Sequence, residues 1–352
     1  MLTFNHTCIG YSHIQSGKPC QDASYSNSNA HMAIAIVSDG HGGQLHIRSD
    51  VGAQLAIEAA REIIEITPPD QWHNPIEREE LFEGIVSLWK LKVNSHYIEN
   101  PQTEEEQKVL YQNLSDEHAM PLQNVYMLYG CTLLAACRYA DGWFAFQIGD
   151  GRCVILHPGD KKPASEPIEK DPRCFMFMTS SMCDINAETE FRYTGGTGKD
   201  IPYAIFVGTD GIENSWGVDE ALHSFYMDMV KYCSSYEKII EELKESLPKL
   251  SQKGCKDDMS VAAIVDTDNL EEKIKDIYQF QINECRDLLT LNKQHLQSAI
   301  ESVEEAKEKL KDDPDNEFLQ RDLENCQYGV AQQQLGRERV IRRLNRLLNE
   351  FK

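Results

Sequence analysis

Between Leu2 and Val37 apolar residues gather in three short runs, Leu2 to Ile9, Ala23 to Ser26 and Met32 to Val37, separated by polar and glycine-containing connections. Runs of this length and composition predict strands. The third is apolar without alternation, the pattern of a strand covered on both faces. It stops abruptly in Asp39-Gly40-His41-Gly42-Gly43, which cannot continue a strand. Beyond Gly43 the period changes. Leu45, Val51, Leu55, Ala59, Ile63 and Ile66 share a helical face ended by Pro68-Pro69, and Glu79 to Tyr97 and Glu104 to Glu117 predict two more helices. Strand patterns return at Gly130 to Cys137, Trp143 to Ile148 and Cys153 to Leu156, and the short links Asp141-Gly142 and Gly149-Asp150-Gly151 predict an antiparallel meander. Pro158 to Arg173 reads as an irregular loop, Tyr203 to Val207 as a buried strand, Val218 to Cys233 and Tyr236 to Leu250 as helices, and Met259 to Val265 as a closing strand.

From Asp268 onward strand signals cease. Leu270, Ile274, Ile277, Cys285, Leu288, Leu296, Val303 and Leu310 recur at helical steps, Lys311 to Asn316 breaks the pattern, and Leu319, Leu323, Cys326, Val330, Val340, Leu344 and Leu347 resume it. The economical expectation is two domains, residues 1–267 and a helical hairpin or coiled-coil extension over 268–352. That extension either packs on itself or pairs with a protein partner or another copy. Gln281, Gln333 and Gln334 interrupt its stripe, which favours a short hairpin over a long two-stranded coil. The arginines at 337, 339, 342, 343 and 346 read as a solvated face suited to a helix C-terminus, or as a docking surface for an acidic partner.

Composition narrows the classes. A chain of 352 residues can bury a large core, and its formal charge of −22 argues against a general nucleic-acid binder. The start lacks a basic region followed by an apolar core, and no run approaches bilayer length, so a soluble cytoplasmic protein with no membrane partner is expected. The eleven cysteines are odd in number and contain no Cys-x-x-Cys pair, the usage of a reduced compartment.

Acidic residues border the predicted strands at Asp22, Asp39, Asp150, Asp210, Asp257 and Asp258. One such Asp is an ordinary turn residue. Six at one end of a sheet repel one another unless cations neutralise them, which points to divalent metal. The ordered motifs Gln21-Asp22, Asp39-Gly40-His41-Gly42-Gly43, Gly130-Cys131-Thr132, Gly149-Asp150-Gly151-Arg152, Thr209-Asp210-Gly211 and Asp257-Asp258-Met259-Ser260 resemble the bacterial-like metal-dependent protein phosphatases of the protein phosphatase 2C type, over about Thr3 to Asp266. The resemblance implies an α+β fold, a four-layer α-β-β-α sandwich of two antiparallel sheets flanked by helices. It implies hydrolysis of phosphoserine and phosphothreonine esters by a water activated between two Mg²⁺ or Mn²⁺ ions, a third ion being an option. The implied partners are phosphoprotein substrates and a cognate kinase system.

Motif by motif, Asp39 resembles the carboxylate that bridges the ions, Gly40 a carbonyl ligand, Asp210 and Asp257 further ligands, and Asp150 a ligand for the third ion. Asp22 joins the metal set. His41 resembles the general acid at the leaving alkoxide; the alternative is a structural hydrogen bond. Three departures stand out. Gln21 occupies a position usually held by Glu, Asp258 replaces a common Asn, and the phosphate-binding Arg expected before Asp22 is absent. Lys18 stands near that place as a candidate phosphate contact, and Arg48 is a second cation that could compensate. These departures keep open a second reading, a weakly active or non-catalytic phosphoprotein-binding scaffold of the same fold.

Overall fold

The computed structural model describes residues 1–113, 124–159, 162–174 and 179–351. The chain divides into two compact units, Met1–Leu270 and Glu271–Lys352. In the first, the strands are β1 (Leu2–Cys8), β2 (Ala23–Ser28), β3 (Met32–Ser38), β4 (Leu133–Tyr139), β5 (Gly142–Ile148), β6 (Arg152–Leu156), β7 (Ala164–Ser165), β8 (Arg192–Thr197), β9 (Ala204–Gly208) and β10 (Met259–Val265). Its helices are α1 (Tyr11–Ser16), α2 (Ser49–Ile66), α3 (Pro75–Glu99), α4 (Glu104–Asn113), α5 (Asp210–Trp216), α6 (Asp219–Val230) and α7 (Tyr236–Lys253).

The strands form two five-stranded antiparallel sheets, β1-β10-β9-β6-β7 and β2-β3-β4-β5-β8. Period-two alternation sorts their side chains. Ala33, Ala35, Val37, Leu134 and Ala136 face inward against Cys153, Ile155, Ile205, Val207, Ala262 and Ile264 of the other sheet. Ile34 and Ile36 point the opposite way, into a cluster with Ala56, Ala60, Trp89 and Phe146 under α2 and α3. On the far side Phe206 packs against Phe4 and Tyr226, at ring-centroid distances of 6.3 and 5.0 Å. The architecture is an α+β sandwich with helices outside both sheets. Both faces of β3 are covered, which explains its unbroken apolar run.

Strand register gathers the acidic residues. Cys8 lies opposite Met259, Val261 and Arg152 both lie opposite Gly208, Ala23 lies opposite Ser38, and Leu133 lies opposite Ile148. Asp22, Asp39, Asp150, Asp210, Asp257 and Asp258 flank these strand ends, so the register carries all of them to one end of the sandwich.

The structure corrects the expected meander. β5 pairs with β4, whereas β6 crosses to the other sheet and pairs with β9. Gly149, at φ +104°, makes that passage, a backbone conformation that L side chains rarely adopt. Three elements go beyond the sequence reading. α1 occupies part of an expected loop, α5 begins at an Asp read as a turn, and β8 is a glycine-rich edge strand. Helix α4 runs to Asn113, and the rest of the predicted Glu104–Glu117 helix lies outside the described residues. Pro158 to Arg173 is irregular apart from β7, with residues 160 and 161 outside the described ones.

The second unit is a pair of antiparallel helices, α8 (Leu270–Asp312) and α9 (Glu317–Glu350). Ile282, Cys285 and Leu347 are buried between them with Val340 and Leu344 alongside, and Arg343 pairs with Glu284 at 3.1 Å. No helix among the described residues is long and apolar enough to cross a membrane.

Candidate active site

Asp39 leaves β3 tied to β4 by three hydrogen bonds. Its N–H donates to Thr132 Oγ1 (3.0 Å), its carbonyl accepts from Thr132 N–H (2.8 Å), and Ser38 Oγ donates to the Thr132 carbonyl (2.5 Å). These bonds satisfy the backbone and leave the carboxyl to the site. Gly40 donates its N–H to the Gln21 carbonyl at 3.1 Å. A Cβ on Gly40 would stand 2.6 Å from both the Gln21 and Ser49 carbonyl oxygens, so only glycine fits.

Asp210 opens α5 and accepts a hydrogen bond from Asn214 Nδ2 (2.9 Å). Its carboxyl and that of Asp39 lie close enough to interact. Burial is the main cause pushing Asp39 well above the usual carboxylate range, and Asp22, Asp210 and Asp257 push it further. Asp210 is pushed up to about 6 by burial, Asp150 and Asp257, against the interaction with Asp39. Asp22 is buried; Thr209 Oγ1 donates to it at 2.7 Å and in turn accepts the Ser260 N–H at 2.9 Å. Burial pushes Asp22 up as well, aided by Asp258, Asp210 and Asp257. Asp150, raised by burial, sits within electrostatic range of Asp210. Asp257 lies at the exposed rim, its Oδ1 accepting the Asp258 N–H at 2.9 Å.

The arrangement brings Asp39 and Asp210 into contact and sets Asp22, Asp257 and Asp150 around that pair. Among the described residues no three His, Cys, Asp or Glu side chains stand in a grouping that would grip an ion as placed.

The remaining candidates separate clearly. Asp258 is structural: it is buried and accepts from Gly10 N–H (2.6 Å), Gln21 N–H (2.6 Å) and His13 Nδ1 (2.9 Å). It thereby holds Gln21 in place. His41 pairs its Nε2 with Ser181 Oγ at 2.7 Å, and its ring meets His46 edge-on with centroids 4.9 Å apart. Burial, with His46 beside it, pushes His41 down to about 4, so the ring is neutral at pH 7. Lys18 is exposed, just after α1. Arg48 is unsuited to compensate for a missing phosphate contact. It is buried, forks onto Glu106 at 2.7 and 2.8 Å, and donates to Tyr129 Oη and the Asn100 carbonyl.

Sequence reasoning gave no role to Thr209, although it opens the Thr209-Asp210-Gly211 motif, or to Ser181, which lies in none of the motifs. The amide of Gln21 adds a further donor. Gln21 Nε2 donates to Ser49 Oγ (2.5 Å) and to the His41 carbonyl (3.1 Å), and since a carbonyl only accepts, the amide orientation is decided. Gln21 Oε1 is left buried without a hydrogen-bond partner. An all-oxygen set, carboxyls that resist losing their protons, and an orphaned amide oxygen together fit a hard divalent cation.

A protein-family model described as Protein phosphatase 2C matches residues 9–250. Among solved structures, PppA of Pseudomonas aeruginosa, described as a key regulatory component of T6SS, is 16% identical with a TM-score of 0.47 over 75% of this chain and 96% of that one. The Mycobacterium tuberculosis serine/threonine phosphatase PstP/Ppp is 13% identical with a TM-score of 0.45 over 75% and 98%. Stp1 of Staphylococcus aureus, a serine/threonine phosphatase, is 13% identical with a TM-score of 0.48 over 75% and 94%. No curated protein matches the chain.

Proposed function

The chain belongs to the protein phosphatase 2C family, and from that premise we propose that it hydrolyses phosphoserine and phosphothreonine esters in proteins in a metal-dependent reaction. One observation carries the reading. Asp39 and Asp210, far apart in sequence, come together at one sandwich end, close enough to interact, with Asp22 and Asp257 within electrostatic range. So much negative charge in one buried place is stable only with protons or cations.

In this proposal Asp39, the Gly40 carbonyl, Asp210 and Asp257 hold two Mg²⁺ or Mn²⁺ ions, Asp22 belongs to the same acidic set, and Asp150 with Asp210 serves a third. Such ions, when bound, supply an activated water and neutralise the phosphate oxygens. The chain's own groups do the rest. Thr209 fixes Asp22, Gly40 brings its carbonyl close by lacking a side chain, and Asp258 with His13 holds Gln21. His41 is assigned the proton at the leaving oxygen. Because its ring rests neutral, that proton arrives during the cycle rather than being stored. Lys18 is assigned an outer, solvent-screened contact to the substrate phosphate. The substrates follow from the reaction: proteins phosphorylated by a serine/threonine kinase.

The test is hydrolysis of a phosphothreonine peptide and of p-nitrophenyl phosphate with Mn²⁺, alongside calorimetric Mn²⁺ binding. Asp39→Asn and Asp210→Asn should each lower turnover by about two orders of magnitude and weaken Mn²⁺ binding. Turnover that survives both substitutions overturns the assignment, and phosphopeptide binding without turnover returns the scaffold reading. His41→Ala separates the two roles of His41. A proton donor is needed more for the poor alkoxide leaving group, so the peptide should lose at least about tenfold more rate than p-nitrophenyl phosphate. Equal losses make His41 structural.

A further inference from the structure

Arg192, at the start of β8, is a cation that the proposed reaction leaves unused. Its Nη1 donates to the Glu169 carbonyl at 2.6 Å and its Nη2 to the Gly149 carbonyl, and its Nε is buried with no partner. No carboxylate among the described residues forms an ion pair with it. The neighbouring cations differ: Lys170 pairs with Glu213 and Asp219 at 3.0 and 2.9 Å, and Arg173 with Asp171 and Glu190 at 2.7 and 2.5 Å. Burial lowers the Arg192 pKa against the opposing pull of Asp171 and Asp150, which lie within electrostatic range.

Arg192 lines a cavity of about 530 Å³ together with Pro167, Ile168, Lys170, Pro172 and Tyr193. Its volume suits one or two side chains. The prolines, Ile168 and Tyr193 offer apolar walls for an aliphatic stem, and Arg192, whose terminal nitrogens each carry a second N–H besides the one given to a carbonyl, offers positive charge for the anionic head. Of the cations in the lining, Lys170 and Arg173 are already paired with carboxylates, which leaves Arg192 as the group toward which an anion would turn. Through the Gly149 carbonyl, Arg192 also touches the segment that carries Asp150.

We propose that this cavity is a docking subsite for an acidic side chain of the phosphoprotein, near the phosphorylated residue in its sequence, with Arg192 as the anion-binding group. The proposal deepens the phosphatase reading and rests on it for the identity of the ligand. Recognition by such a subsite is set by a partly desolvated guanidinium, so it discriminates carboxylate from amide more sharply than a surface lysine does.

Two fluorescent phosphothreonine peptides, one with glutamates beside the phosphorylated residue and one with glutamines, test it by anisotropy with the full chain in EDTA. The wild type should bind the acidic peptide about tenfold more tightly, the scale of one charge-assisted hydrogen-bonded contact. Arg192→Gln should bring the two within about twofold, Arg192→Lys should fall between, and the wild-type preference should collapse in ~0.5 M NaCl, where the Debye length is a few ångströms. The salt arm needs no variant and holds even if a substituted chain unfolds. Equal wild-type affinities, or equal losses on both peptides in Arg192→Gln, overturn the subsite. With Mn²⁺ added, a matching rise in KM for p-nitrophenyl phosphate in Arg192→Gln would place Arg192 on the transferred phosphate and also overturn it. Preserved acid-selective binding with no Mn²⁺-dependent turnover would overturn the phosphatase reading and leave the subsite standing.

Discussion

Gly40 has little room to change, because two backbone oxygens stand 2.6 Å from any Cβ it could carry. Gly40→Ala should lower stability by about 2 kcal/mol or more, read as a fall in Tm, since backbone rather than a flexible side chain has to move. Thr209→Val should cost about 1–3 kcal/mol in chemical unfolding, because it strips a donor from buried Asp22 and an acceptor from the Ser260 N–H. The Arg48–Glu106 fork makes a pH prediction. The Arg48 guanidinium holds Glu106 down to about 2. A depressed carboxylate stabilises the fold above its ordinary pKa and loses that effect as pH falls through the lowered one. The Tm gap between wild type and Glu106→Gln should therefore be widest above about pH 5 and close toward pH 2. At this scale the acidic candidates were legible, since each borders an apolar run. The commitment of Arg48 was not, because its partners Glu106 and Tyr129 lie far along the chain and nothing local marks them.

At the scale of elements, local patterning was strongest where burial is two-sided. β3, β9 and β10 are bounded by polar turns and buried on both faces, and their apolar runs say so. It was weakest where an element owes its existence to a neighbour. β8 reads Arg-Tyr-Thr-Gly-Gly-Thr, with no alternation, and becomes a strand by pairing with β5. α5 starts at Asp210, which in isolation is a turn residue; the helix forms because Ile212 packs into the core. Helix α7 carries Pro248 in its interior at an exposed position, which removes one backbone donor. Pro248→Ala should raise stability by about 1 kcal/mol, visible in a thermal melt, because the helix on either side is already formed.

Across the whole molecule the division after Leu270 leads to a further expectation. A chain ending at residue 270 should fold cooperatively and keep Mn²⁺-dependent hydrolysis, checked by circular dichroism and turnover; a melted fragment would show that the helical pair is needed for the fold. The amino-acid sequence by itself determined most of the strands and helices in their order, the acidic residues at strand ends and the helical character of the last eighty-odd residues, because amphipathic period and turn chemistry are local properties. Tertiary structure alone decided that β6 crosses to the second sheet, that Asp39 comes beside Asp210, that Arg48 is spent on Glu106, and that Arg192 lines a cavity with no ion-pair partner among the described residues. Those outcomes depend on register and packing between segments distant in the chain, and a long-range contact leaves no period in the residues that make it.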